Sequence, residues 1–210
     1  MLKQLLAAGG LTLATLGAQA GWNFTGDALA VNDSLSLTTA WWAVGDPDTP
    51  FNLSGRPAVD ISAVEAAAGL MPYALDLPSE AGTEGSVALR SFTVAAGDTL
   101  SFNWRFDTLD ADFEDHAFAV LGGQLFTLAT RSQPGGPLNT FSHTFASAGT
   151  VSLALGIVDT ADYLGVSTLS VSGLQVSPVP EPASALLMLA GLAGVLRRRA
   201  RSAQSAQSAR

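Results

Sequence analysis

The chain has 210 residues, enough for one domain of ordinary size once its terminal segments are set aside. All 18 acidic side chains lie between Asp27 and Glu181, where only four arginines oppose them, and such an acidic body disfavours binding to a phosphate backbone. The chain has no cysteine, which excludes disulfides, a thiolate nucleophile and a zinc–thiolate site.

The N-terminus has the pattern of an export signal. Lys3 precedes an apolar run over residues 5–18, and Ala18 and Ala20 are the small residues that a signal peptidase requires. We therefore predict a signal peptide over residues 1–20, cleaved before Gly21, with signal peptidase and the export machinery as partners.

The middle of the chain, residues 21–177, has the apolar alternation of β-strands. Phe102, Trp104 and Phe106 share one face of a strand, and the run 151–157 repeats the pattern. Further runs occur at 28–31, 35–40, 86–94, 116–121, 124–130, 140–145 and 166–176. About eight to ten strands separated by Gly, Asp and Pro turns predict an all-β, antiparallel β-sandwich of the jelly-roll type.

One short peripheral helix is expected inside this domain. Ser62 and Glu65 have the spacing of a capping box, and three alanines follow. Gly69 is suited to the C-terminal cap, and Pro72 prevents continuation of the helix.

The densest polar cluster is an acidic loop that contains Asp107, Asp110, Asp112, Glu114 and Asp115. Carboxylates at alternating positions of a loop can converge on calcium, so a calcium site at Asp110, Asp112, Glu114 and Asp115, with Asp159 and Asp162 alongside, is one interpretation. A solvated loop without metal is the preferred interpretation, since charge runs are usually exposed. No cofactor is required.

The two histidines do not indicate a catalytic centre. His143 alternates with Phe141 and Phe145, which predicts a partly buried position, and its neighbour Ser142 points to the other face. His116 is interpreted as the surface start of a strand rather than as a metal ligand.

Aromatic side chains are the other candidates for binding, because exposed rings form platforms for sugars. The candidates are Trp22, Trp41, Trp42 and Tyr163, although core packing is preferred for each of them. Alternation predicts that one ring of Trp41 and Trp42 faces inwards, and Trp104 is assigned to the core.

The C-terminal segment "VPEPASALLMLAGLAGVLRRRARS" combines three features in a fixed order. Pro180, Glu181 and Pro182 form a stiff boundary, and residues 183–196 carry no charge. As a helix these would span roughly 21 Å, short of a hydrocarbon core of about 30 Å, but flanking arginines can reach the headgroups. The arginines are Arg197, Arg198, Arg199 and Arg201. A single transmembrane helix with its arginines in the cytoplasm is predicted.

This order of elements over residues 178–201 resembles the PEP-CTERM protein-sorting signal. The resemblance implies a Gram-negative-type bacterium that makes exopolysaccharide, and an exosortase-type membrane protease that processes the chain near Pro180, Glu181 and Pro182. It also implies transient anchoring in the inner membrane before the protein reaches the cell surface or the extracellular space. The tail at residues 202–210 is expected to be disordered.

A second resemblance extends over much of residues 84–176, where an acidic loop separates a Trp-bearing strand from "HAFAVLGG" and a final strand "STLSVSGLQV" precedes the sorting signal. It is similar to the β-rich ectodomain of many PEP-CTERM proteins and implies the same sandwich. The preferred function is a non-catalytic structural or adhesive role, associated with exopolysaccharide or biofilm. The alternatives are a carbohydrate-binding module, with or without calcium, and a secreted hydrolase that uses Asp110, Asp112 or Glu114.

Overall fold

The computed structural model describes residues 21–179 and 190–193. The predicted signal peptide with Ala18 and Ala20, the Pro180–Glu181–Pro182 motif, the four arginines after the apolar segment and the tail at 202–210 lie outside these residues. Gly21, the first residue after the predicted cleavage, is exposed.

The described part of residues 21–177 forms two β-sheets and one short α-helix, which confirms the predicted sandwich. The strands are β1 (Asn23–Thr25), β2 (Asp27–Val31), β3 (Ser34–Thr38), β4 (Val59–Asp60), β5 (Gly82–Val94), β6 (Thr99–Thr108), β7 (His116–Leu121), β8 (Gln124–Thr130), β9 (Asn139–Thr144), β10 (Gly149–Thr160) and β11 (Ser167–Ser177). The helix is α1 (Ile61–Ala68).

The strand order differs from the chain order in both sheets. Sheet A has the order β1-β5-β10-β7-β8, with β4 paired to β5, and sheet B has the order β2-β3-β11-β6-β9. The long strands β5 and β10 pair in antiparallel fashion over almost their whole length, with one irregularity between Asp159 and Thr160. Each sheet therefore brings together residues that are distant in sequence.

The main hydrophobic core lies between the two sheets. Leu153, Leu155 and Ile157 of β10 face Leu37, Phe102 and other apolar side chains of sheet B, and all are buried. Trp104 belongs to this core, as its alternation with Phe102 predicts. Burial of this apolar surface is the principal force that holds the sheets together.

The outer face of sheet A is buried as well, because α1 packs against it. Val64 of the helix contacts a second cluster that contains Val87, Phe118 and Val158. This second layer explains why all six residues of β7 are buried, although a sheet with one solvated face would show alternation. The helix is outside the sandwich, as predicted, and it covers the sheet.

The start of the helix differs from the prediction. Asp60, not Ser62, is the N-cap: its carboxylate accepts a hydrogen bond from the backbone N–H of Ser62 at 2.9 Å. The carboxylate of Glu65 instead accepts from the backbone N–H groups of Tyr73 and Leu75 and so fixes the following loop. The C-cap at Gly69 is confirmed, since its φ of 72° is left-handed.

The nine predicted apolar runs correspond to β2, β3 and β5–β11. The prediction missed β1 and β4, which have three and two residues. Such short strands contain too few alternating positions for a periodicity to be visible. Both pair with β5 and are held by it.

Residues 177–210 form a second compact unit, of which only 177–179 and 190–193 are described. Residues 190–193 are helical. Within the described residues no helix has the length and apolar character needed to cross a membrane. The predicted transmembrane segment at 183–196 extends into residues outside the description.

Candidate ligand-binding cavity

The loop of residues 39–58 is fixed to the sandwich by a buried carboxylate. Asp27, fully buried at the start of β2, accepts hydrogen bonds from the backbone N–H of Leu53 and of Ser54, at 2.9 and 2.8 Å, and from the Ser54 hydroxyl. The Thr38 hydroxyl donates to the same carboxylate. A loop without regular strands thereby gains a defined position, which matters because Trp41 lies in it.

A second loop, residues 161–166, follows β10 and lies beside the first. The Thr83 hydroxyl donates to the backbone carbonyl of Asp162 at 2.6 Å, and the Asp162 carboxylate accepts from the N–H of Leu164. Gly165 has a φ of +82°, and a Cβ there would come within 2.7 Å of the Asp110 Cα. The close approach requires glycine and holds Tyr163 and Leu164 in place.

These two loops and the start of β5 enclose a cavity of about 370 Å³. Its lining has an apolar part, with Trp41, Tyr163 and Leu164, and an acidic part, with Asp46, Asp48 and Glu84. The rings of Trp41 and Tyr163 are 43% and 62% exposed, so both are available to a ligand. An aromatic wall beside hydrogen-bond acceptors is the usual chemistry of a sugar-binding site.

Glu84 differs from the other lining residues because it is buried, with 4% of its surface exposed. Its position follows from strand alternation. Ser86, two residues further along β5, bridges to sheet B by donating to the Thr38 carbonyl at 2.7 Å, so even-numbered residues here face inwards. Within the described residues no group donates a hydrogen bond to the Glu84 carboxylate. Burial, with Asp48 and Asp46 nearby, raises the pKa of Glu84 to about 7.

Asp159 lies directly opposite Glu84 on β10. Its carboxyl is 2% exposed and accepts one long hydrogen bond, of 3.3 Å, from the Thr83 hydroxyl. Burial, followed by the charges of Asp115 and Glu84, raises the pKa of Asp159 to about 9. This carboxyl therefore holds a proton at neutral pH.

Asp115 completes the group of buried carboxyls at this end of the sandwich. Asp115 accepts hydrogen bonds from the Thr160 N–H at 3.1 Å and from the Ser167 hydroxyl at 2.6 Å. It thereby ties the residue before β7 to the end of β10 and the start of β11. Burial raises its pKa to about 7 in spite of these hydrogen bonds. Its role in the fold is structural.

The acidic loop does not converge as a calcium site would. The Asp110 carboxylate accepts hydrogen bonds from the N–H groups of Asp112 and Phe113. The Glu114 carboxylate accepts from the Ser132 N–H and pairs with Arg131 at 3.4 Å. Asp115 points inwards and is buried. Among the described residues no three Asp, Glu or His side chains are grouped so that they could hold a metal ion. The calcium site at Asp110, Asp112, Glu114 and Asp115 stays a prediction without a geometric basis here.

The predictions for the two histidines have different outcomes. His143 packs edge-on against Phe145, with ring centroids 5.1 Å apart, and it is half-buried as predicted. His116 is buried rather than at the surface, because α1 and the loop after it cover the outer face of sheet A. Burial lowers its pKa to about 4, so it is neutral at physiological pH.

The exposure and position of the aromatic candidates agree only in part with the predictions from the sequence. Trp41 and Trp42 are both exposed, at 43% and 50%, because they follow the end of β3 and strand alternation does not apply to them. Trp22 is half-buried beneath the guanidinium of Arg90, 5.6 Å from its ring centroid. Of these, only Trp41 lines the cavity, together with Tyr163.

The sequence did not single out Asp46, Asp48 or Glu84. A signal for Glu84 was present, since it lies at even spacing from Ala88 and Phe92 on a strand whose inner face is apolar. A charged side chain at an inward position indicates a functional or a strongly paired group. Asp46 and Asp48 lie in an irregular loop and carry no such signal.

The geometry defines an acidic β-sandwich with a cavity between loops at one end, followed by a separate C-terminal unit. Residues 178–201 of that unit match the PEP-CTERM protein-sorting motif, which confirms the resemblance found in the sequence. The motif implies processing by exosortase, a membrane protease, and indicates that the protein is exported and sorted to the cell surface.

Comparison with solved structures finds weak likenesses. One is to a structure described as "CBM4 structure and function", with 10% identity, a TM-score of 0.35 and coverage of 75% of this chain and 94% of that chain. Another is to the secreted serine protease VesC from Vibrio cholerae, with 8% identity, a TM-score of 0.31 and coverage of 77% and 44%. No curated protein sequence matches the chain. Neither likeness is strong enough to carry a function to this protein.

Proposed function

We propose that this protein is a non-catalytic, adhesive component of the cell surface, and that its sandwich binds exopolysaccharide through the cavity between the two loops. The sorting motif supplies the cell-surface destination. The observation that carries the proposal is the pairing of two exposed rings, Trp41 and Tyr163, with carboxylates in one cavity.

The chemistry of sugars fits this lining. The faces of pyranose rings are apolar and stack on aromatic rings, while their hydroxyl groups donate hydrogen bonds to carboxylates. Asp46 and Asp48 stand at the cavity wall as such acceptors, and Leu164 extends the apolar part. A cavity of this size, open to solvent, is suited to one or two sugar units of a longer chain.

A binding assay tests the proposal. The full-length protein is titrated with exopolysaccharide purified from the producing cells, and Trp41→Ala and Tyr163→Ala are compared with Trp42→Ala. Trp42 is a matched control because it is equally exposed but does not line the cavity. We expect each cavity variant to lose about 1–2 kcal/mol, roughly a 5- to 30-fold weaker affinity, and the control to bind like the wild type.

The outcomes separate clearly. Equal losses of affinity in all three variants would mean that exposed aromatic side chains attract the polysaccharide non-specifically. Either that result or the absence of binding by the wild type would overturn the proposal. Circular dichroism of each variant establishes that the fold is retained, which is expected because all three side chains are exposed.

A secreted hydrolase is the second candidate, and one observation favours it. A carboxyl with a pKa of about 7 in an aromatic cavity, as at Glu84, is the usual form of a general acid in glycoside hydrolysis. In this proposal Glu84 on β5, rather than Asp110, Asp112 or Glu114, is the general acid. Release of reducing ends from the same polysaccharide, abolished by Glu84→Gln, would establish this function, and intact polysaccharide after prolonged incubation would exclude it.

A further inference from the structure

We propose that the cavity binds a sugar that carries a protonated amine, and that Glu84 provides the counter-charge for it. This inference rests on the proposed function and names its ligand class: an amine-bearing glycan such as a polymer of glucosamine, rather than a neutral or acidic one.

Glu84 has the fewest hydrogen bonds to its carboxyl among the buried acidic residues that the structure describes. Three of the other four buried acidic residues are engaged in several hydrogen bonds: Asp27 with the loop at 53–54, Glu65 with the loop at 73–75, and Asp115 with Thr160 and Ser167. The fourth, Asp159, accepts one long hydrogen bond from the Thr83 hydroxyl. Glu84 is as buried as these but accepts no hydrogen bond from any described residue, and it lines a cavity open to solvent. A buried carboxylate in this state is costly unless it takes up a proton or a bound cation neutralises it.

The described residues supply no cation to the cavity. The cavity lining contains three carboxylates and no Lys, Arg or His. Of the four arginines in the sandwich, Arg105 pairs with Asp107, Arg131 pairs with Glu114, and Arg90 stacks on Trp22 and Phe92. The fourth, Arg56, is exposed in the loop of residues 39–58 and does not line the cavity. Among the described residues, none supplies the positive charge that an ionised Glu84 favours, and a bound molecule can supply it.

The cavity lining favours an ammonium group over a metal ion. Calcium prefers six to eight oxygen ligands, and no three carboxylates among the described residues are grouped to hold one. An ammonium group is instead stabilised by aromatic faces as well as by carboxylates. Trp41 and Tyr163 beside Glu84, Asp46 and Asp48 form this mixed environment. Of the other buried carboxyls near Glu84, Asp115 adds negative potential where it is ionised, whereas Asp159 holds its proton at neutral pH.

The test uses two oligomers with the same sugar backbone, one with free, charged amines and one with acetylated, neutral amines. The full-length protein is titrated by calorimetry, near neutral pH, with a short soluble oligomer of β-linked glucosamine and with its fully N-acetylated counterpart. We expect the amine form to bind at least about tenfold more tightly and Glu84→Gln to abolish that preference. Asp33→Asn is the matched control, because it removes one exposed charge outside the cavity and so reports non-specific attraction of a polycation to this acidic protein. Asp48→Asn provides a second cavity variant if Glu84→Gln does not fold.

The failures of the two proposals are distinguishable. If both oligomers bind equally and the cavity variants leave the ratio unchanged, the amine inference is overturned, while loss of affinity in Trp41→Ala would still support glycan binding. If Asp33→Asn reduces the preference as much as Glu84→Gln, the attraction is non-specific and the inference is also overturned. If neither the oligomers nor the exopolysaccharide bind, both proposals fail.

Discussion

Glu84 and Asp159 lie directly opposite each other on β5 and β10, on the core-facing side of sheet A. Two carboxyls in this arrangement repel each other when both are ionised, and burial adds to that cost. The pair therefore retains protons at a pH where exposed carboxyls have lost theirs. This relationship has consequences for stability as well as for binding.

The free energy of unfolding is expected to fall as the pH rises from about 6.5 to 9. The folded-state pKa values of Glu84, Asp115 and Asp159 are about 7, 7 and 9, above those of the unfolded chain. The folded state therefore binds more protons than the unfolded chain, and this stabilisation is lost as the protons dissociate with rising pH. His116, with a lowered pKa, contributes only below about pH 6.5. Above pH 7 the free energy of unfolding falls by at most about 1.4 kcal/mol per pH unit for each proton that the folded state binds in excess of the unfolded chain.

Urea unfolding at a series of pH values measures this slope. Asp159→Asn removes the group with the highest pKa and should flatten the curve between pH 7 and 9, with increased stability at the alkaline end. An Asp33→Asn variant should keep the wild-type slope, because Asp33 is exposed. A wild-type curve that is flat over this range would contradict the prediction.

Asp27→Asn should destabilise the protein and weaken the cavity. The amide keeps one acceptor oxygen, whereas the carboxylate accepts from the N–H groups of Leu53 and Ser54 and from two hydroxyls. The loss of buried hydrogen bonds costs about 1–3 kcal/mol in unfolding experiments. Tryptophan fluorescence should also report greater solvent exposure and mobility of the loop with Trp41 and Trp42, and an unchanged spectrum would show that Asp27 does not hold this loop.

Gly156→Ala should be one of the more damaging small substitutions in the chain. Gly156 lies in β10, and a Cβ there would come within 2.3 Å of the Phe118 ring, which is fully buried between sheet A and the helix. Overpacking of this kind typically costs about 1–3 kcal/mol. Gly149→Ala in the same strand is the control, since a Cβ there meets no atom within 4 Å. Equal thermal unfolding temperatures for the two variants would refute this packing argument.

Processing at the sorting motif can be tested on cells. Intact mass spectrometry of the surface form should show an N-terminus at Gly21 and loss of the segment after the Pro180–Glu181–Pro182 motif. Glu181→Ala should reduce this processing and leave uncleaved protein in the inner membrane fraction. A surface form that retains residues beyond Arg197 would contradict exosortase processing, whereas it would remain compatible with simple anchoring.

The sequence alone determined the features that depend on local periodicity and on motifs whose parts follow one another directly in the chain. Alternation in β6 and β10 predicted the sandwich and the burial of Trp104, and Gly69 marked the end of α1 through its left-handed backbone. The sorting motif at residues 178–201 was recognisable because its three parts follow one another directly. Each of these signals lies within about twenty-five neighbouring residues.

Only the tertiary structure decided what meets in the cavity. Trp41, Glu84 and Tyr163 lie far apart in the chain and come together because β5 pairs with β10 and two loops fold over the end of that pair. The acidic loop at 110–115 attracted attention by its local density of charge, yet Asp110, Glu114 and Asp115 accept hydrogen bonds from different parts of the chain. Glu84, which is isolated in the sequence, is buried and accepts no hydrogen bond from any described residue. The environment of a charge depends on strand register and loop closure, and these are set by the packing of the whole domain.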